Sequence, residues 1–214
     1  ERLTRNKNEV GYPKRSIDDV LRIAGVSAGD LDRVAYASLF MHGRQYLTDL
    51  QPWYRVGLEH QRSESTRPRA YEKVIFEQRR QERVDAVVEH LGIGTEKVDF
   101  LEHHQCHLAA AYYTAPNVKP GQQVLGLTCD GAGDNLSGTV SICQDNTLER
   151  IKEISRHASL GKIYSRITML LGMTPWEHEY KVMGLAPYGD PVYADLILDK
   201  LVDLKEDGSF RLNQ

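Results

Sequence analysis

Apolar positions recur along this chain with two periods, one helical and one extended. In residues 16–26, SIDDVLRIAGV, Ile17, Val20, Leu21 and Ala24 fall on one stripe of a helix, with Ser16 placed to cap its start and Gly25 to end it. Residues 32–39, DRVAYASL, alternate as a strand does, and a helix followed by a strand is an α/β signature. Residues 41–67 are irregular, mixing Tyr46, Trp53 and Tyr54 with Pro52 and polar residues, which reads as short helices and loops over a surface. Pro68 stands where a first-turn proline is tolerated. A long helix over 69–91 follows, with Tyr71, Val74, Ile75, Val84, Val87, Val88 and Leu91 as its expected buried set and Gly92 as its cap. The span 41–92 is therefore a mostly helical excursion. KVDFLE, 97–102, is a short strand leading into HHQCHLAAAYYTAP, 103–116, whose composition favours a helix.

From Gln123 the period shortens. Strands are expected over 124–129, 137–144 and 148–154, joined by the Gly-rich turn Asp130-Gly131-Ala132-Gly133-Asp134 and the hairpin connection Gln144-Asp145-Asn146-Thr147. Three antiparallel strands beginning with a Gly-rich turn and followed by helices open a ribonuclease-H-like or actin-like nucleotide-binding domain. Residues 159–172 read as a helix with its N-terminal dipole end at SLG, residues 176–189 carry WEHEYKVMGLAPYG, and 195–204 read as a last amphipathic helix before the turn EDGSF.

The helix expected at 103–116 brings candidate chemistry. His103 and His107 are four residues apart and share one face, and neutral imidazole is a common transition-metal ligand. Asp130, expected at the end of the strand 124–129 beside a glycine turn, supplies a third donor; hard and soft donors together suit iron, zinc or manganese. On spacing alone, a pair of hydrogen-bonded core or surface histidines accounts for His103 and His107 as well. His104 is rotated about 100° from its neighbours and reads as a supporting or surface group.

Composition narrows the partners. The chain has 214 residues, 41% of them hydrophobic, enough to bury a core, and a net charge of −3 that argues against nucleic acid. EQRRQERVD in the long helix is nearly neutral and reads as a solvated face. Cys106, Cys129 and Cys143 are odd in number and lack Cys-x-x-Cys spacing, which predicts a reducing, cytoplasmic compartment and no cysteine zinc site. No apolar run approaches the roughly 18 residues that a membrane span needs. The start ERLTRNKNEVGYPKRS, without methionine, and the stop at FRLNQ read as a piece of something longer.

HHQCHLAAAYYTAP, TCDGAGD and SLGKIYSRITMLLGMTPWEHEYKVMGLAPYG, in this order and at these separations, resemble the nodulation-protein-U and cephamycin-type O-carbamoyltransferases, and the ends ERLTRNKNEVGYPKRSIDDVL and KEDGSFRLNQ extend the likeness to the whole chain. The resemblance implies an incomplete actin-like lobe: residues 1–214 would be the first lobe of the larger domain, without its opening strand, with the second lobe and a smaller domain contributed by the same enzyme outside the chain. It further implies ATP and carbamoyl phosphate as substrates, carbamoyl adenylate as intermediate, and transfer to a hydroxyl of a secondary metabolite or glycoside. In such enzymes a metal, taken to be iron, is held by the outer histidines of HHxxH, the aspartate of DGxG and a further aspartate of the second lobe; His103, His107 and Asp130 match the first three. Arg5 and Lys7 match a TRxK pattern near the carbamoyl and phosphate groups, with roles in catalysis, while Gly131, Gly133, Ser159, Gly161, Lys181 and Gly184 match nucleotide- and carbamoyl-facing positions. Turns, caps and helix packing explain those last six nearly as well. Cys106 stands where alanine is usual and His178 where glycine is common. The alternatives are carbamoyl or threonylcarbamoyl transfer to protein or tRNA by a related domain, or a nucleotide-binding module without chemistry. A simple metal hydrolase ranks last, since the chain has no HExxH string.

Overall fold

The computed structural model describes residues 2–5, 11–39, 70–206 and 210–212. These form two compact units, one running through residue 106 and the other from residue 107. The fold is mixed α/β, as expected from the two periods. Lys7 and residues 41–69 of the excursion lie outside the described residues.

In the first unit, α1 spans Lys14–Ala24 and α2 Ala70–Leu91, with a two-stranded parallel sheet of β1, Val34–Tyr36, and β2, Val98–Phe100. Gly25 ends α1 with φ 68°, a conformation that costs glycine little. The start differs from expectation: Pro13 is the N-cap and Ser16 lies inside the first turn, because proline's fixed φ suits a helix entry. His90, near the end of α2, fastens the helices together through Nδ1 to the Tyr12 hydroxyl at 2.9 Å and Nε2 to Asp18 Oδ1 at 2.8 Å. The buried side of α2 also departs from the pattern. Val87 is fully buried, but Val74 and Ile75 are exposed and Phe76 is buried instead. Tyr36 and Phe100, register partners across β1 and β2, stack at 5.2 Å, and the Arg80 guanidinium lies 5.0 Å from the Phe100 ring centre.

The second unit is built on an antiparallel sheet in the order β3-β4-β5: Val124–Gly133, Leu136–Gln144 and Thr147–Ser155. Against it lies α3, His103–Tyr113, which begins in the first unit. Leu108, Tyr112 and Cys143 form the core, with Val118, Val124 and Leu148 packed around them. Gly126 makes this seat possible, since a Cβ there would run into the Leu108 side chain and lie 2.9 Å from Cys143 Sγ. Helices α4, Leu160–Leu170, α5, Glu179–Leu185, and α6, Ala194–Leu201, follow. The expected helix over 195–204 is shorter than its pattern: Val202–Leu204 leaves it as β6 and pairs antiparallel with β7, Phe210–Leu212. The β-branched Val202 opposite Leu212 suits a strand pair better than a helix end. No helix among the described residues is long and apolar enough to cross a membrane.

Candidate metal centre

Helix α3 has two working faces. His104, Leu108 and Tyr112, at i, i+4 and i+8, are all buried, which makes His104 the first residue of the core stripe and not a surface group. The next face, about 100° around, carries His103 and His107. The helix is started by Glu102, whose carboxylate accepts the amides of His104 at 3.1 Å and Gln105 at 2.7 Å. His103 Nδ1 is 3.0 Å from the carbonyl oxygen of Ala37. A carbonyl only accepts, so Nδ1 carries the proton and Nε2 presents its lone pair.

The third donor arises differently from the expected glycine turn. β3 runs through Gly133, and the tight turn is made by Asp134 and Asn135, whose φ values are 46° and 68°. Gly131 and Gly133 have no positive φ, so turn geometry does not account for them. Pairing between β3 and β4 instead slips between Cys129 and Gly133. A bulge of this kind re-aims side chains, and Asp130 stands in it. Its Oδ1 accepts the Gly131 amide at 2.6 Å, while Oδ2 is 3.6 Å from His107 Nε2.

One ligand atom each from His103, His107 and Asp130 lies within 4.8 Å of the other two. Two ligands each about 2.1 Å from one ion stand at most about 4.2 Å apart. Small side-chain rotations therefore close the set around a cation, and two imidazoles with one carboxylate suit a first-row divalent metal.

The remaining candidates divide. Ser159 is fully buried; its hydroxyl caps α4 by accepting the Lys162 amide at 3.2 Å and lies 3.4 Å from the carbonyl oxygen of Asp130. Gly161 packs onto Gly131, where a Cβ would meet the Gly131 Cα at 3.2 Å, whereas the Cβ direction of Gly131 itself is open. The first turn of α4 is thus brought beside Asp130 and Gly131. Gly133 is buried next to the turn. Lys181 and Gly184 lie exposed on α5, with Lys181 Nζ 5.9 Å from the Tyr180 ring centre. Arg5 is exposed with φ 63°. His178 accepts the Thr174 amide through Nδ1 at 3.0 Å, so it holds the turn before α5. Sequence reasoning missed the Ala37 carbonyl, the Glu102 cap and the bulge. Of these, Glu102 carried a signal, an acidic residue immediately before a helix.

A family profile described as "Carbamoyltransferase N-terminus" matches residues 1–214. Among curated proteins, the chain is 34% identical over 229 residues to an uncharacterized protein of Synechocystis sp., with 100% of this chain and 34% of that protein aligned. It is 29% identical to the nodulation protein NolNO of Sinorhizobium fredii, over 99% of this chain and 28% of the relative. It is 28% identical to an uncharacterized protein of Methanocaldococcus jannaschii, over 99% and 32%. The chain thus spans about a third of the length of these relatives.

Proposed function

The chain belongs to the carbamoyltransferase N-terminus family, and on that premise we propose that the complete protein transfers a carbamoyl group to the hydroxyl of a small acceptor at the corner formed by α3 and the β3 bulge. The convergence of His103, His107 and Asp130 carries this reading. These side chains would hold a divalent ion, iron by the family resemblance, with a further carboxylate from outside this chain. When bound, the ion supplies positive charge that polarises the carbamoyl carbonyl.

The chain's own groups prepare that site. The Ala37 carbonyl sets the His103 tautomer, and the Gly131 amide fixes one oxygen of Asp130 so that the other faces His107. The open side of Gly131 leaves room for a carbamoyl donor, and amides at the start of α4, beside Ser159 and Gly161, suit its phosphate oxygens. Lys181 and Gly184 on α5 would add nucleotide contacts, and by the family resemblance Arg5 and Lys7 have roles in catalysis. Carbamoyl adenylate, formed from carbamoyl phosphate and ATP, is the donor: the acceptor oxygen bonds to the carbamoyl carbon, the bond to AMP breaks, and the hydroxyl proton passes to solvent. We read the β3-β4-β5 sheet with its helices as part of an actin-like domain in a cytoplasmic enzyme.

The test uses the complete protein. Metal content by mass spectrometry and AMP release dependent on carbamoyl phosphate and acceptor are both expected to collapse in His103→Ala and His107→Ala. Unchanged metal and unchanged turnover in both variants would overturn the assignment.

A further inference from the structure

The peptide unit that joins Asp130 to Gly131 is held at three points. Its amide donates to Asp130 Oδ1 at 2.6 Å, its carbonyl oxygen accepts the Ser159 hydroxyl at 3.4 Å, and the Gly131 Cα faces Gly161. Ser159 is fully buried, and its oxygen accepts the Lys162 amide at 3.2 Å while its hydroxyl reaches across to β3. One side chain therefore caps α4 and fastens that helix to the strand that carries Asp130.

The lack of a side chain at position 161 has the same origin. Glycine in a helix is about 1 kcal/mol less favourable than alanine, yet Gly161 stands in the first turn of α4. A Cβ there would lie 3.2 Å from the Gly131 Cα and 3.5 Å from the Gly131 nitrogen, the atom whose hydrogen fixes Asp130 Oδ1. Carbon atoms prefer a separation of about 3.5–4.0 Å, so the strand would have to yield. Gly131 differs, because its own Cβ direction is open and its φ is not positive.

We propose that Ser159 and Gly161 are positioning residues for Asp130, a role that rests on the metal centre proposed above. The first turn of α4 clamps the Asp130–Gly131 peptide within the slipped register. With Oδ1 anchored on the clamped amide, Oδ2 stays turned to His107, 3.6 Å from its Nε2. Metal–ligand distances are held to within about 0.2 Å, so a small displacement of this peptide is enough to weaken the centre.

Two glycine substitutions in the complete protein test the clamp. The protein is freed of metal and titrated with Co2+, whose visible spectrum reports the geometry of its ligands. Gly161→Ala puts a methyl group against the clamped peptide in a helix that alanine suits, so Co2+ affinity should fall about tenfold or more and the spectrum should change. Ser159→Ala, without the hydroxyl, should do the same. Gly131→Ala adds its methyl group in open space and should bind Co2+ as the wild type does. Wild-type affinity and spectrum in Gly161→Ala, or an equal loss in Gly131→Ala, would overturn the clamp and leave the metal centre standing. No Co2+ binding by the wild type would overturn the metal centre and the clamp with it. Co2+ binding that depends on Gly161 in a protein unable to transfer carbamoyl would support the clamp and overturn the transfer reading.

Discussion

The second unit holds two regions of opposite character. Where α3 meets the sheet, Cys143, Thr139 and Ser141 are at most 1% exposed, and the core stripe of α3 adjoins the face that bears His107. In α5 and α6 no residue is buried, and Leu198 is 58% exposed. The difference teaches that these regions fix side chains by different means. Beside the sheet, close packing sets positions, so His107 and Asp130 are placed by what lies beneath them. Around α5 the chain is shaped by hydrogen bonds to single carboxylate and imidazole groups, notably Glu179 and His178, and packing contributes little.

Substitutions of decreasing severity can break this contrast. The largest effect is expected from Leu108→Ala, which empties the seat over Gly126 and should cost about 2–5 kcal/mol in urea unfolding. A loss below about 1 kcal/mol would mean that α3 is not held by that core. Next comes ligand linkage. If the corner binds a divalent metal, excess metal at a hundred times its dissociation constant adds about 2.7 kcal/mol of stability, and His107→Ala should abolish that increment while leaving the metal-free protein nearly unchanged. Equal responses of wild type and variant would count against binding at this corner.

Ser159→Ala tests the join between the regions. Losing the cap of α4 should cost about 1 kcal/mol. Leu198→Ala should change stability by less than about 0.5 kcal/mol; a loss of several kcal/mol would erase the contrast from the other side. The smallest effect is read through pH. Because the Glu179 carboxyl is held below its ordinary value, its stabilising contribution is present above about pH 4.3 and is lost as pH falls through the lower folded value. The stability gap between wild type and Glu179→Gln should therefore be flat near neutrality and shrink on acidification; a gap that widens would show the opposite shift.

Particular residues show how far the sequence could be read. The long helix and the second and third strands of the run rest on local periodicity, and each is found within a residue of expectation, whereas β3 runs four residues past its expected end and α3 stops three residues short of its own. Of the two readings of His104, the surface one fails, because its i, i+4, i+8 spacing with Leu108 and Tyr112 follows the core. Val74 and Ile75 fit the helical stripe yet are exposed, since periodicity reports which residues share a face and not what covers that face. Asp130 was expected from a turn and is presented by a bulge, a feature of pairing between two strands that neither strand displays alone.

The sequence by itself determined the mixed α/β class, the kinship with carbamoyltransferases and the identity of the three converging side chains, because side-chain chemistry and short-range spacing are written along the chain. Tertiary structure decided what depends on long-range partners. It put the Ala37 carbonyl against His103, aimed Asp130 at His107 through a slipped register, brought the start of α4 against Gly131, and held Trp176 outward in a left-handed turn. Each is a contact between residues distant in sequence or a backbone state imposed by its neighbours, and no local pattern encodes either.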